Sequence, residues 1–442
     1  MTQTRRIIVD VTQLAHWTGK ITGIPRVMDE LAKRFYIDET SEVVFASWVK
    51  DIKEFCEIDF DQTILRRNGV VYRHAGDASV PAKSAAATMQ SQPSISRPAG
   101  RQLLKRAVKK GLRVTGRVSP ALSYRLEARA KHVHMQQYKK VAFGKGDLFF
   151  IPWGEWWDPN FTDRLVLAHK EGAGLVQIIH DIATTVWPQF YEQVAVNPTT
   201  YNARILPIAD LVLCVSQNTK RELVGWLQQQ KLHVPRVEVF RLGDVLDVAK
   251  PEKPVEQAFV DAKLKGGDYI MCVGTIEAKK NHAMFYYVYK WAKLQGIDLP
   301  KIVIVGRRGW GTENIYNMMT NDPEIGDNFV FLHDASDENL SWLYDHCLFT
   351  VLASFHEGWG IPIAESIARG VPNACSNTSS MVEVAEGFVE HFSPYSTDEC
   401  LRAILKLLDP KVRKKAAEYA KVYRQTPWDD TYKQVKTYLE TV

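Results

Sequence analysis

Short apolar runs of strand length alternate with helical patterns along this chain, and they do so in two blocks. In the first block, strand candidates begin in the run 5–15 and continue at 43–49, 147–152, 174–179, 211–215 and 237–241, with a helical stretch at 217–230 behind the N-cap residue Ser216. A loop carrying Gly19 and Gly23 follows the first run, and Pro25 then opens a helical pattern. The second block has strands at 269–273, 301–305, 329–332 and 348–352, with helices at 281–294, 337–346 and 362–369. The end of the chain, 411–442, is helical in pattern and broken near Pro427. Between the blocks, residues 247–260 hold Pro251, Pro254 and several charges, as a linker does. Strands alternating with helices imply parallel sheets with helices on their faces, so the expected fold class is α/β with two domains. In such sheets ligands bind beyond the carboxyl ends of the strands.

The remaining bulk properties narrow the class. A length of 442 residues with 45% hydrophobic and 24% charged residues fits a folded globular protein of two or three domains. The cysteines 56, 214, 272, 347, 375 and 400 form no C-x-x-C pair and mostly sit in apolar runs; they read as buried thiols of a reducing compartment, not as a zinc site or disulfide framework. No window reaches the ~18 apolar residues of a membrane span, and Met1 to Asp10 lacks a signal-peptide core. Charge is uneven: between Arg97 and His132, eleven Lys or Arg stand against the single acid Glu127. A small, polar, Pro-containing stretch at 76–101 precedes this basic segment, whose Leu103, Leu104, Ala107, Val108 and Leu112 share one helical face while Lys105, Arg106, Lys109, Lys110 and Arg113 share the other.

The stretch 352–384, LASFHEGWGIPIAESIARGVPNACSNTSSMVEV, carries the most chemistry. A buried strand ends near Leu352, and a loop with Glu357, Gly358 and Gly360 follows. Pro362 suits the first position of a helix, with Glu365 in its first turn and Gly370 closing it. Two carboxylates thus meet at one strand end. Ser380-x-x-Glu383 reads as a capping box.

These residues resemble the family 4 retaining glycosyltransferases, which have the GT-B fold of two Rossmann-like domains. The family's Glu, seven residues, Glu pattern is matched by Glu357 and Glu365, and further matches fall at 273–282 (VGTIEAKKNH), 305–311 (VGRRGWG) and 376–383 (SNTSSMVE). The clear resemblance covers roughly 175–440. It implies an acceptor-side domain over 1–245 with a basic insertion at about 76–135, a nucleotide-sugar-binding domain over 255–425, and a helix at 426–442, near Trp428, returning to the first domain across a cleft.

The resemblance also implies residue roles. Glu365 binds the ribose hydroxyls as a double acceptor, Glu357 lies near the transferred sugar, and Lys280 neutralises the donor diphosphate. Gly274, Gly360, Ile361, Ser379 and Ser380 complete the donor side. Thr275 stands where many members have an arginine, which leaves Lys279, Arg307 or Arg308 to supply that cation. On the acceptor side, His180 and Asp181 match the family's His–Asp pair, and Gly23 lets its loop approach closely. The aromatic loops at Trp153–Trp157 and Trp187 suit stacking on sugar rings.

The implied function is metal-independent, retaining transfer of a sugar from a nucleoside diphosphate sugar to a glycan or lipid-linked glycan acceptor in bacterial surface polysaccharide synthesis. No cofactor is implied. The R-R-G-W-G stretch resembles members that use GDP-mannose. A cytoplasmic protein, peripheral on the inner face of the cell membrane, is the matching location. For 101–117 three readings stand: a solvated helix face, nucleic-acid binding, which lacks stacking aromatics, and an anionic membrane surface, which ranks ahead because relatives use lipid-linked acceptors. Asp59–Asp61 and Asp429–Asp430 superficially match a metal-binding D-x-D but follow no suitable strand. Taken singly, Glu357, Glu365 and Lys280 read as solvated charges, and Ser379 and Ser380 as plain caps. A non-catalytic glycan-binding relative, or a GT-B-like sugar phosphorylase or epimerase, is the rival class.

Overall fold

A computed structural model of the chain describes residues 5–17, 21, 23–65, 138–191, 196–246, 264, 268–309, 311–385 and 387–442. Gly19, the basic segment 101–117, the linker 247–260 and Trp310 lie outside the described residues, and the expected membrane-binding face lies there with them.

Continuous apolar runs become strands buried on both faces, as parallel sheets require. The first sheet holds β1 (Arg6–Asp10), β2 (Glu42–Val49), β3 (Glu54–Glu57), β4 (Leu148–Ile151), β5 (Gly174–Ile179), β6 (Leu211–Cys214) and β7 (Val237–Val239), in the order β3-β2-β1-β4-β5-β6-β7. The pairs β1–β2, β1–β4, β5–β6 and β6–β7 are parallel, with Ile8 opposite Val44 and Phe149, whereas β3 runs antiparallel to β2. The second sheet holds β8 (Tyr269–Val273), β9 (Lys301–Val305), β10 (Phe329–Leu332), β11 (Phe349–Leu352), β12 (Asn373–Ser376) and β13 (Val389–Phe392), in the order β10-β9-β8-β11-β12-β13, with parallel registers. Tyr269, Met271, Val303 and Leu343 lie at the centre of its core. By its internal contacts the chain falls into two compact units, residues 1–21 with 28–175, and residues 22–27 with 176–442.

Strand order reverses between β1 and β4 in the first sheet and between β8 and β11 in the second. At such switch points the outgoing connections turn to opposite faces and open a crevice, which is where α/β sheets hold ligands. In the second sheet, the loop 274–282 leaves β8 and the loop 353–360 leaves β11. The two motifs read from the sequence therefore stand side by side.

The helices that matter for these loops are α1 (Ile24–Ile37), α2 (Gln217–Gln229), α3 (Ala283–Leu294), α4 (Asp337–His346), α5 (Ile361–Ala368), α6 (Met381–Ala385), α7 (Thr397–Leu408) and α8 (Trp428–Leu439). Ser216 caps α2 by accepting from the Thr219 N–H at 3.0 Å, as expected. Gly370, at φ +73°, ends α5: its N–H bonds the Ile367 carbonyl at 2.8 Å and the next N–H bonds Ser366 at 2.9 Å, a Schellman motif. At the other end of α5, Pro362 is the second residue, not the first, and Gly360 is the N-cap. Glu365 consequently lies beyond the first turn, where the helix dipole gives it no support. The last helix, α8, packs on the segment that follows β7. Thr431 donates to the Arg241 carbonyl at 2.9 Å, and Tyr438 donates to the Val239 carbonyl at 3.1 Å. A Cβ at Gly243 would meet the Trp428 ring at 2.4 Å, so only glycine lets that indole seat there. Among the described residues, no helix is long and apolar enough to cross a membrane.

Candidate functional site

The loop after β8 sets two lysines in opposite directions from one short 3-10 turn, Ala278–Lys280. Lys280 folds back over the strand end. Gly274 sits there at φ +148°, and a Cβ on it would lie 3.1 Å from the Lys280 Cδ. Glycine thus leaves room for the lysine stem. The Lys280 ammonium reaches Glu357 Oε1 at 2.6 Å, and the Ser354 hydroxyl donates to the same oxygen at 2.6 Å.

The backbone of Glu357 is clamped as firmly as its side chain. Its N–H donates to the Ser379 hydroxyl oxygen at 2.9 Å, and its carbonyl accepts from the Ser380 hydroxyl at 2.7 Å. Ser379 adopts the left-handed region at φ +50°. Burial pushes the Glu357 carboxyl up, but Lys280, Lys279 and the two side-chain hydrogen bonds outweigh it, and the group is held below the ordinary glutamate value. Glu357 is therefore a buried anion with its counter-charge in contact.

Lys279 turns the other way, to Asp181 Oδ2 at 3.1 Å. Asp181 also accepts from the Ala183 N–H at 3.0 Å. Burial raises the Asp181 carboxyl, but Lys279 and His356 overcome it and hold it well below the carboxylate range. His356, itself buried, pairs with Glu222 of α2 at 2.8 Å. The strand-end residue His180 meets the same loop through its backbone: a Cβ at Gly358 would come within 1.8 Å of the His180 carbonyl oxygen. Gly358 is glycine because two backbones touch there.

Glu365 holds different company. Its Oε1 accepts from Arg26 Nη1 at 2.8 Å and its Oε2 from the Tyr344 hydroxyl at 3.0 Å. Arg26 Nη2 reaches Asp337 Oδ1 at 2.5 Å. Burial dominates at Glu365, so its carboxyl titrates above the ordinary value despite Arg26. Gly23, at φ +61°, makes the turn that starts α1 and brings Arg26 to this position.

The remaining sequence candidates fall as follows. Gly360, at φ +96°, caps α5, and Ile361 is that helix's first residue. Thr275 sits at the end of β8 with its methyl toward Gly309, and Ile276 pairs in parallel with Arg308. Arg308 lies over the Tyr316 ring at 4.1 Å, and half-exposed Arg307 stands 3.9 Å from Asp334. Neither arginine is brought to the Lys280–Glu357 pair. The Ser380–Glu383 capping box does not form. Ser380 spends its hydroxyl on Glu357, and Glu383 accepts from the Gln217 and Asn218 N–H groups at 2.9 and 3.1 Å, serving α2 in place of its own helix. Trp187 stacks on Phe190 and Phe190 on Phe355, with ring centroids 5.9 and 5.2 Å apart. Sequence reasoning missed Arg26, Tyr344, Ser354 and His356; only the last two lie inside the motif that drew attention.

The family of glycosyl transferases group 1 matches residues 256–423, which include both loops of this site. The chain carries a group 1 glycosyltransferase domain. The serotype-specific mannosyltransferase WbdA of Escherichia coli is 24% identical over 255 residues, 56% of this chain and 31% of WbdA. The O-antigen chain mannosyltransferase B of Escherichia coli is 26% identical over 211 residues, 47% of this chain and 54% of the relative. The chain thus spans about a third to a half of the length of these curated relatives. Among solved structures, sucrose-phosphate synthase from Thermosynechococcus elongatus superposes with a TM-score of 0.62 at 15% identity, over 99% of this chain and 98% of that one. The glycosyltransferase domain and the sheet that precedes it therefore have the GT-B fold.

Proposed function

We propose that the chain transfers a sugar from a nucleoside diphosphate sugar to a glycan or lipid-linked glycan acceptor in polysaccharide synthesis, with retention of anomeric configuration and without a metal. The observation that carries this is the Lys280–Glu357 pair at the switch point of the second sheet, inside the glycosyltransferase domain. As the bond from the anomeric carbon to the diphosphate breaks, negative charge gathers on the leaving oxygens. Lys280 supplies a fixed positive charge for it in a desolvated setting, where such a charge acts most strongly. Glu357, kept ionised, orients Lys280 and accepts from hydroxyls of the transferred sugar. Ser354 holds that carboxylate, and Ser379 and Ser380 hold the backbone that carries it.

Glu365 is assigned to the ribose, and the His180–Asp181 strand end to the acceptor side. Lys279 is assigned to Asp181, since its charge is already matched there, and not to the diphosphate. The relatives named as mannosyltransferases favour a mannosyl donor, and GDP-mannose is the form proposed. A location on the inner face of the cell membrane goes with a lipid-linked acceptor.

The test is a thermal-shift screen against UDP, GDP, ADP, CMP and dTDP, with and without EDTA, followed by a transfer assay with the matching sugar. Saturation at a hundred times the dissociation constant adds about 2.7 kcal/mol of stability. A shift with GDP that EDTA leaves unchanged is expected. A shift that EDTA abolishes sinks the metal-independent reading, and no shift with any nucleotide moves the non-catalytic reading ahead.

A further inference from the structure

The ribose-binding assignment of Glu365 meets a difficulty in its own surroundings. A carboxylate that receives two neighbouring ribose hydroxyls needs an open acceptor position on each oxygen, of which each has about two. Here Oε1 is held by the Arg26 guanidinium and Oε2 by Tyr344, and all three side chains are buried. A guanidinium is a charged donor and holds a carboxylate more strongly than a neutral hydroxyl does. Ribose can take Oε1 only if Arg26 has another seat. The structure supplies one: Asp337, in the first turn of α4, already touches Nη2 at 2.5 Å and is 40% exposed at its side chain. Arg26 is therefore one cation shared by two carboxylates, of which Glu365 is the buried one.

We propose that Arg26 is a resident ligand of the nucleotide site, which the donor's ribose displaces from Glu365 toward Asp337. Arriving nucleotide exchanges the charged donor on Oε1 for one ribose hydroxyl, the second sharing Oε2 with Tyr344 through that oxygen's other acceptor position, and Arg26 is released from α5 in the same step. Free enzyme keeps the buried carboxylate matched, and bound enzyme satisfies it with substrate. Arg26 is a positioning residue whose contact tunes donor affinity. The proposal rests on the reading of Glu365 as the ribose acceptor.

Calorimetric titration of GDP and UDP, and of their 2′,3′-dideoxy forms, tests it on the full chain. With the ribonucleotide that binds, Arg26→Gln should tighten affinity roughly ten-fold, because no charge-assisted bond has to be broken. The same variant should lower the melting point of the free protein and leave that of the saturated protein unchanged. Dideoxy nucleotide should bind wild type and Arg26→Gln alike. Asp337→Asn removes the second seat and should weaken ribonucleotide binding, opposite in sign to Arg26→Gln. Arg26→Lys, which keeps the charge, should lie between wild type and Arg26→Gln. Unchanged or weaker ribonucleotide binding in Arg26→Gln overturns the proposal; should that variant fail to fold, wild-type affinity in Asp337→Asn overturns it equally. Failure of the underlying reading looks different: Glu365→Gln would then bind ribonucleotide as wild type does, and wild type would not distinguish ribo from dideoxy forms.

Discussion

Lys280 and Glu357 face each other at 2.6 Å, one on the loop after β8 and the other on the loop after β11, and both are largely shielded from water. The contact joins the two strands that flank the reversal of strand order. Removing either partner leaves a charge without compensation, which in a buried pair costs about 3–5 kcal/mol.

Lys280→Ala is therefore expected to do two things. Transfer should slow by roughly a hundred- to a thousand-fold, the usual loss when one fixed donor to a developing anion is removed. Melting should also fall, because Glu357 is stranded. Lys280→Arg separates the effects, restoring most of the melting point while turnover stays low. Steady-state rates at saturating donor and a thermal melt of each variant check this; wild-type turnover in Lys280→Ala would sink the assigned role.

Gly358→Ala forces a Cβ to within 1.8 Å of the His180 carbonyl oxygen, a backbone atom that cannot rotate away. Overpacking of this kind typically costs about 1–3 kcal/mol. The expected outcome is a lower urea midpoint with unchanged denaturant slope, and reduced transfer, since the displaced loop carries Glu357. Gly225→Ala, where a Cβ meets nothing within 4 Å, serves as the control.

In the first unit, Asp10 ends β1 fully buried, and its Oδ2 has no hydrogen-bond partner among the described residues. Burial raises its carboxyl to about 7, with the Glu155 charge adding to the push and Thr12 opposing it. The folded state holds this proton where the unfolded chain, titrating near the ordinary 3.8, has lost it. Between about pH 4 and 7 the folded state thus binds more protons, and stability falls as pH rises, by up to about 1.4 kcal/mol per unit. Asp10→Asn keeps the acceptor that serves Thr12 and has no proton to lose. Its melting point should match wild type near pH 4 and exceed it increasingly toward pH 8; parallel pH profiles would refute the assignment.

Glu383→Ala should loosen α2, not its own short helix. Loss of a carboxylate that accepts from two first-turn N–H groups costs about 1 kcal/mol. Hydrogen exchange of the amides at the start of α2, Gln217 and Asn218 among them, should quicken while those of α6 stay unchanged.

The sheets were legible because their strands are continuous apolar runs: β1, β4, β8, β9 and β11 need burial on both faces, and the sequence shows it. Strands without that signature went unread. β3 is EFCE and β13 is VEHF, polar edge segments whose pairing comes from their neighbours, and β12 is NACS, small residues that pack beneath α5. α7 had a readable signal, with Ser396 as its cap and Leu401, Ile404 and Leu407 on one face, and was passed over. In the site, Glu357 and Glu365 were found through the spacing within one stretch, and Lys280 through the resemblance carried by 273–282. The partner of Glu365 was not, because nothing near residue 26 encodes proximity to residue 365. The capping box failed for a related reason: sequence spacing offered Glu383 a local partner, while the fold offered it a helix start more than a hundred and fifty residues away.

Gly306 follows β9 beside the end of β8, and a Cβ there would stand 1.9 Å from the Gly274 carbonyl oxygen. With Gly274 itself needed for the Lys280 stem, the floor beneath the lysine that pairs with Glu357 is two hydrogens thick. Anyone diversifying this chain should leave both positions out of the library, together with Ser354 and Tyr344, whose hydroxyls hold Glu357 and Glu365, and vary the half-exposed Arg307 instead.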